Sequence, residues 1–240
     1  MKIIRVKDYN EMSKTTAKLF FDKIKERPSI HLGLATGGTP VGMYEKLTEM
    51  LRSSTVSTGS LKVFNLDEYA DLPQNDSNSY YSFMKKHVYN PWGLKEDQCF
   101  IPDGTAENLQ EECRRYEALL DENGVDIQLL GAGANGHIGF NEPGTPFDSE
   151  THVEKLKSTT REANARFFPS LEEVPTHAVT MGISSILKAK EIVLIASGEA
   201  KAEAINSLVN SSMTEEWPIT ALQQHPDVTV IVDETAAASI

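Results

Sequence analysis

The stretch D-I-Q-L-L-G-A-G-A-N-G-H-I-G-F-N-E-P, from Asp126 to Pro143, ends one apolar segment and opens into a loop with three reactive polar side chains. Ile127, Leu129 and Leu130 make the short apolar run expected of a strand covered on both faces within a parallel sheet. Gly131 and Gly133 then close the strand, where the absence of a side chain lets a ligand come near the main chain. Ligands of open α/β sheets bind beyond the carboxyl ends of the strands, so Asn135, His137 and Glu142 are predicted to stand at a binding edge. The spelling Gly131-x-Gly133-x-x-Gly136 matches a dinucleotide-binding loop. That fingerprint requires a helix to start within the glycines, with its N-terminus facing a pyrophosphate. His-Ile-Gly-Phe-Asn-Glu-Pro-Gly follows instead, and its two glycines, proline and lack of helical period predict an irregular loop. An imidazole with Asn and Glu nearby has the partners that a proton-transfer site needs to set its tautomer.

Working outward, the same pattern of strand, turn and helix recurs. Ile30 to Ala35 reads as a strand running into Thr36-Gly37-Gly38-Thr39-Pro40, and Val41, Tyr44, Leu47, Met50 and Leu51 then recur at helical spacing. Thr39 is the expected N-cap and Pro40 the first helical residue. Backbone N–H groups and the helix dipole would face one point there, which predicts an anion site at Thr36, Gly37, Gly38 and Thr39. The lysine and spacing of a nucleotide P-loop are absent, so a single phosphate monoester suits the loop better than a nucleotide. Lys62 to Leu66 reads as another strand, with Asp67-Glu68-Tyr69 at its carboxyl end. Adjacent residues point in different directions, so at most one of the two acids should face the cleft. Helices are expected from Asp8 to Ile24, through Tyr80 to Val88, and from Ala106 to Asn123; strands are expected at Ile3 to Val6, Ala178 to Met181, Glu191 to Ala196 and Val228 to Val232. After Glu191 to Ala196 comes Lys201 in a first helical turn, where the dipole disfavours a cation unless it faces an anion. The polar segment from Thr151 to Phe168, carrying Arg166, is a candidate lid. Strands alternating with helices predict an α/β fold with a doubly wound, mostly parallel, Rossmann-like sheet: one domain over residues 1–240, with the lid at 151–168 within it.

Composition narrows the function. The 240 residues include 40% apolar ones, and 35 acidic against 23 basic side chains give a formal charge of −12, so nucleic acid is not an expected partner. No apolar run approaches the roughly 20 residues that span a bilayer, and the start Met1-Lys2-Ile3-Ile4-Arg5 lacks the apolar core of a signal peptide. A cytoplasmic protein without a membrane partner is therefore expected. The six histidines and two cysteines show no ligand spacing, so neither a metal nor another cofactor is expected. A phosphate anchor, the carboxylate of Asp67 and a separate His-based shuttle together suit proton abstraction beside a carbonyl on a small sugar phosphate.

The motifs L-G-L-A-T-G-G-T-P, F-N-L-D-E-Y, S-Y-Y-S-F-M, G-A-G-A-N-G-H-I-G-F-N-E-P and T-R-E-A-N-A-R-F-F closely resemble those of the glucosamine-6-phosphate deaminase family, and the similarity extends over essentially the whole chain. The resemblance implies conversion of glucosamine 6-phosphate and water into fructose 6-phosphate and ammonia, a hydrolase reaction of amino-sugar catabolism. By that resemblance Asp67 is the base moving a proton from C2 to C1 of the open-chain sugar through an enolamine, and His137 opens the pyranose ring. Glu142 and Asn135 would orient and tune His137, while Gly37, Gly38, Thr39, Arg166 and Lys201 would hold the phosphate. Some members carry Asp in place of Asn135, so a less basic His137 is expected here. Longer members form hexamers activated by N-acetylglucosamine 6-phosphate. This chain stops at Ile240 and has His152 and Glu154 where those members carry basic effector contacts, so a monomer without that activation is expected. A 6-phosphogluconate lactonase and a non-catalytic sugar-phosphate sensor remain the alternatives.

Overall fold

The computed structural model describes residues 1–240, the side chain of Phe167 excepted. The chain runs β1 (Lys2–Val6), α1 (Tyr9–Glu26), β2 (His31–Leu34), α2 (Val41–Arg52), β3 (Lys62–Asn65), β4 (Asp67–Tyr69), α3 (Tyr80–Met84), α4 (Asn90–Trp92) and β5 (Cys99–Phe100). It continues through α5 (Leu109–Asn123), β6 (Ile127–Gly131), β7 (His152–Lys155), α6 (Ser158–Asn164), β8 (His177–Thr180), α7 (Ile183–Leu187), β9 (Glu191–Ala196), α8 (Ala202–Asn210) and β10 (Val228–Asp233). Successive residues of the central strands point to opposite faces, and because both sets are apolar one sheet carries two cores. Leu32, Leu34, Val63, Ile127, Leu129 and Val193 pack with Met12, Phe20, Met43 and Leu47 of α1 and α2. Phe64, Leu130, Leu194 and Val232 pack with Tyr116, Leu120, Ile205 and Leu208 of α5 and α8.

Seven strands form the main sheet in the order β1-β10-β9-β6-β2-β3-β5, and every neighbouring pair is parallel. The predicted doubly wound α/β architecture is therefore observed. From β2 the chain steps through β3 to β5 toward one edge; from β6 it steps through β9 to β10 toward the other. The order reverses between β2 and β6, and a crevice opens at such a switch point beyond the strand ends.

Several local expectations change. Residues 178–181, read from sequence as one more strand in the succession, pair instead in a separate antiparallel sheet of order β4-β8-β7, with Asp67 opposite Thr180. The segment read as a lid starts as a strand of that sheet, and its root is fixed where Thr151 donates from its N and Oγ1 to Glu117 Oε2 at 3.0 and 2.6 Å. Pro40, not Thr39, occupies the N-cap of α2, because its carbonyl accepts the first full helical bond from Tyr44 N at 2.9 Å. The helix beginning at Tyr80 is capped by Ser79, whose Oγ accepts from Ser82 N at 3.0 Å, and it widens into a π turn over Lys85–Tyr89 before α4. That turn brings the Tyr89 hydroxyl to Asn65 Oδ1 at 2.6 Å, beneath the end of β3.

Candidate active site

A cavity of about 740 Å³ lies over the switch point, and the ends of β2, β3, β6 and β9, four adjacent strands of the sheet, all supply side chains to it. Thr36, Gly37, Gly38 and Thr39 line one side, and Asp67, Asn135, His137, Arg166 and Lys201 line the rest. Glu142 is the one predicted site residue that does not reach the cavity wall. It is buried behind His137 at 2% exposure.

The loop after β2 turns on Gly37, whose φ of +92° lies in the left-handed region that a side chain disfavours. Since Thr39 caps nothing, its hydroxyl is left to the cavity it lines. Tyr9 of α1 braces this loop, accepting from Gly42 N at 2.9 Å and donating to Gly38 O at 3.2 Å. Across the cavity, Lys201 follows a turn that the end of β10 holds in place: Asp233 accepts from Ser197 Oγ at 2.5 Å and from Gly198 N at 3.1 Å. Burial lowers the Lys201 pKa and the neighbouring Arg166 lowers it further, so two cations converge where a dianion would relieve both.

Asp67 and Glu68 show how one residue of register separates two fates. Glu68 turns away from the cavity and accepts from Tyr69 N, Tyr80 N and Tyr81 N at 2.8, 2.9 and 2.8 Å, tying β4 to the start of α3. Burial raises its pKa to about 7, against the pull of those N–H groups. Asp67 faces the cavity. Burial raises its pKa to about 8, and the charge of Glu68 adds to the shift. The raised pKa makes the ionised Asp67 a stronger base than an exposed carboxylate, and a cation brought against it favours the ionised form.

The loop after β6 is irregular, as its residues predicted. Main-chain bonds Gly133 N to His137 O (2.9 Å) and Ile219 N to Gly136 O (2.8 Å) hold it, together with Asn141 Nδ2, which donates to Ile138 O and Met181 O, both at 2.8 Å. The His137 ring lies against Gly133, where an added Cβ would come within 2.3 Å of Nδ1. The glycine is required there by close approach rather than by a phosphate. Asn135 Nδ2 donates to Glu142 Oε2 at 2.9 Å, and Glu142 Oε1 accepts the hydroxyl of Thr160 from α6. His137 Nδ1 stands 3.9 Å from Glu142 Oε2 and has no hydrogen-bond partner. Burial lowers the His137 pKa, Glu142 opposes the shift and Lys201 reinforces it. Burial as the leading cause was not legible in the residue pattern.

Tyr80, Phe140 and Thr160 also line the cavity; each lies within a motif quoted above, but none was assigned a site role. Cys99 and Cys113 are outside it, and burial raises their thiols to about 12 and about 11.

Residues 8–231 match the family described as glucosamine-6-phosphate isomerases/6-phosphogluconolactonase. The glucosamine-6-phosphate deaminase of Shouchella clausii (strain KSM-K16) is 51% identical over 239 residues, covering 99% of this chain and 97% of that protein. The solved structure of a monomeric glucosamine-6-phosphate deaminase superposes with a TM-score of 0.97 at 48% identity, with both chains covered completely. The 6-phosphogluconolactonase of Leishmania guyanensis superposes with a TM-score of 0.79 at 22% identity, covering 100% of this chain and 98% of that one, a likeness of fold alone.

Proposed function

Because this chain belongs to the glucosamine-6-phosphate isomerase/6-phosphogluconolactonase family, we propose how its cavity performs the reaction of the deaminases it matches along its whole length. The protein is an enzyme that converts D-glucosamine 6-phosphate and water into D-fructose 6-phosphate and ammonia. In our reading the phosphate lies between the N–H groups of Gly37 and Gly38, the Thr39 hydroxyl, and the cations Lys201 and Arg166. The sugar then extends toward Asp67 and His137. His137 takes the proton of the anomeric hydroxyl and returns one to the ring oxygen, so the C1–O5 bond breaks and the aldehyde is exposed. Asp67 removes the C2 proton, which the aldehyde has made acidic, while one ammonium proton passes to O1 to give the enolamine, and Asp67 then delivers its proton to C1. The resulting C2 iminium adds water and releases ammonia.

The observation that carries this reading is charge placement within one cavity: two cations at one end and a desolvated carboxyl at the other. The substrate matches it, with a phosphate dianion at C6 and an amino group at C2 that is cationic at neutral pH. That ammonium is the counter-charge that returns Asp67 to the carboxylate. A lactone substrate brings no such cation. The lid reading of 151–168 is supported by Thr159, Thr160 and Arg166, which come over the cavity beyond the root fixed at Thr151. No helix among the described residues is long and apolar enough to cross a membrane. We take the protein to act as a cytoplasmic monomer, like the monomeric deaminase it superposes on. Equal release of ammonia and fructose 6-phosphate by the wild type, lost in Asp67→Asn with substrate binding retained, is the expected result. Binding without release of either product would overturn the reading in favour of a sensor.

A further inference from the structure

Glu142 is pulled from two sides. Its Oε2 accepts from Asn135 of its own loop, and its Oε1 accepts from Thr160, which reaches down from α6 and is itself 6% exposed. Held so, Oε2 stops 3.9 Å from His137 Nδ1, beyond hydrogen-bond range, and Nδ1 is left buried and unpartnered. A shift of about 1 Å would complete that bond. Two residues past the end of α6 stands Arg166, which lines the cation end of the cavity with Lys201. One short segment therefore touches both the expected phosphate position and the carboxylate behind the imidazole.

We propose that Thr160 is a positioning residue that ties Glu142 to the segment over the cavity and keeps it off His137 Nδ1 until phosphate, drawing Arg166 inward, moves that segment. Ring opening is thereby made contingent on a phosphorylated sugar, because His137 gains its carboxylate partner only when the segment shifts. This rests on the role of His137 proposed above. The charged groups facing His137 are Glu142 from its own loop and Lys201 from the turn after β9; Asp67 and Arg166 line the same cavity. Lys157 Nζ also reaches the shuttle loop, donating to Pro143 O at 2.9 Å, so α6 stays attached when the Thr160 hydroxyl is removed.

The test compares full-length wild type, Thr160→Val, which keeps the branched shape, and Thr160→Ser, which keeps the hydroxyl. The imidazole titration of His137 is followed by NMR, with its signal assigned by its loss in His137→Gln. In the valine variant Glu142 is released from α6 and can approach Nδ1 while keeping its bond from Asn135, so the His137 pKa rises by roughly 0.5–1 unit. The serine variant titrates like wild type. A valine variant that titrates at or below the wild-type value, or a serine variant that behaves like valine, overturns the inference. Failure of the wild type to release ammonia and fructose 6-phosphate would sink the functional reading instead, while the titration would still decide the tie.

Discussion

The two ends of the cavity rest on different physics. At the proposed phosphate end the contacts would come from main-chain N–H groups, one hydroxyl and two cations; Gly38 and Arg166 are exposed and Lys201 is half-buried. At the end proposed for proton transfer Asp67 and Glu142 are 5% and 2% exposed, and Nδ1 of His137 is shut off from solvent. Several partly redundant contacts to one dianion weaken gradually when one is removed. Buried groups whose protonation is set by their neighbours leave no such reserve, because a lost partner is not replaced by water. On the proposed assignment the binding end tolerates change and the chemical end is finely tuned.

Asp67→Asn is the harshest test of that contrast: kcat is expected to fall about 10²- to 10⁴-fold with KM nearly unchanged, measured as product release at saturating substrate. His137→Gln is expected to cost less, roughly 10²-fold in kcat, because the sugar ring also opens unaided in water while C2 deprotonation has no such bypass. At the other end, Lys201→Met is expected to raise KM about 10- to 100-fold, the worth of a charge-assisted hydrogen bond, and to leave kcat within a few-fold. A Lys201 variant that lost kcat rather than KM would break the division between the two ends. Thr39→Ala is the mildest case, with KM up about 2- to 10-fold in the same kinetic assay.

Proton linkage sharpens the comparison. Burial holds the proton on Asp67 in the folded state up to about pH 8, whereas its ordinary value is 3.8. Between those values the folded state binds the extra proton, so the stability linked to it is present at low pH and lost as pH rises through 8. Asp67→Asn removes this loss, and thermal unfolding is expected to show the variant gaining about 4 kcal/mol on wild type between about pH 5 and about pH 8.5. For activity, kcat/KM is expected to climb until Asp67 ionises near pH 8, while the substrate ammonium shifts the matching limb of kcat to lower pH.

Much of this was legible in the residues. The strand before Gly131, the turn through Thr36 to Thr39 and the loop holding Asn135, His137 and Glu142 follow from apolar period, glycine and proline placement, and the absence of a helix after the glycines. Lys201 was found because a cation is out of place in a first helical turn, and in the structure it faces the cavity beside Arg166. Other features had no local signal. β4 is three residues long and lies just past β3, so nothing marked its move into a second sheet with β7 and β8. Thr160 opens the motif T-R-E-A-N-A-R-F-F but nothing local tied it to Glu142, and Glu142, near His137 in sequence, falls short of its ring in space.

What the sequence by itself determined is the doubly wound sheet, its ligand-binding edge and the inventory of chemical groups on that edge, because strand period, turn chemistry and caps are properties of consecutive residues. Only the tertiary structure decided which groups are desolvated and which bonds are left unmade: the raised pKa of Asp67, the open gap between His137 and Glu142, and the tie from Thr160. Those depend on how segments far apart in the chain are stacked. Burial and cross-segment distance set the charge state of a group, and neither is carried by its neighbours in the chain.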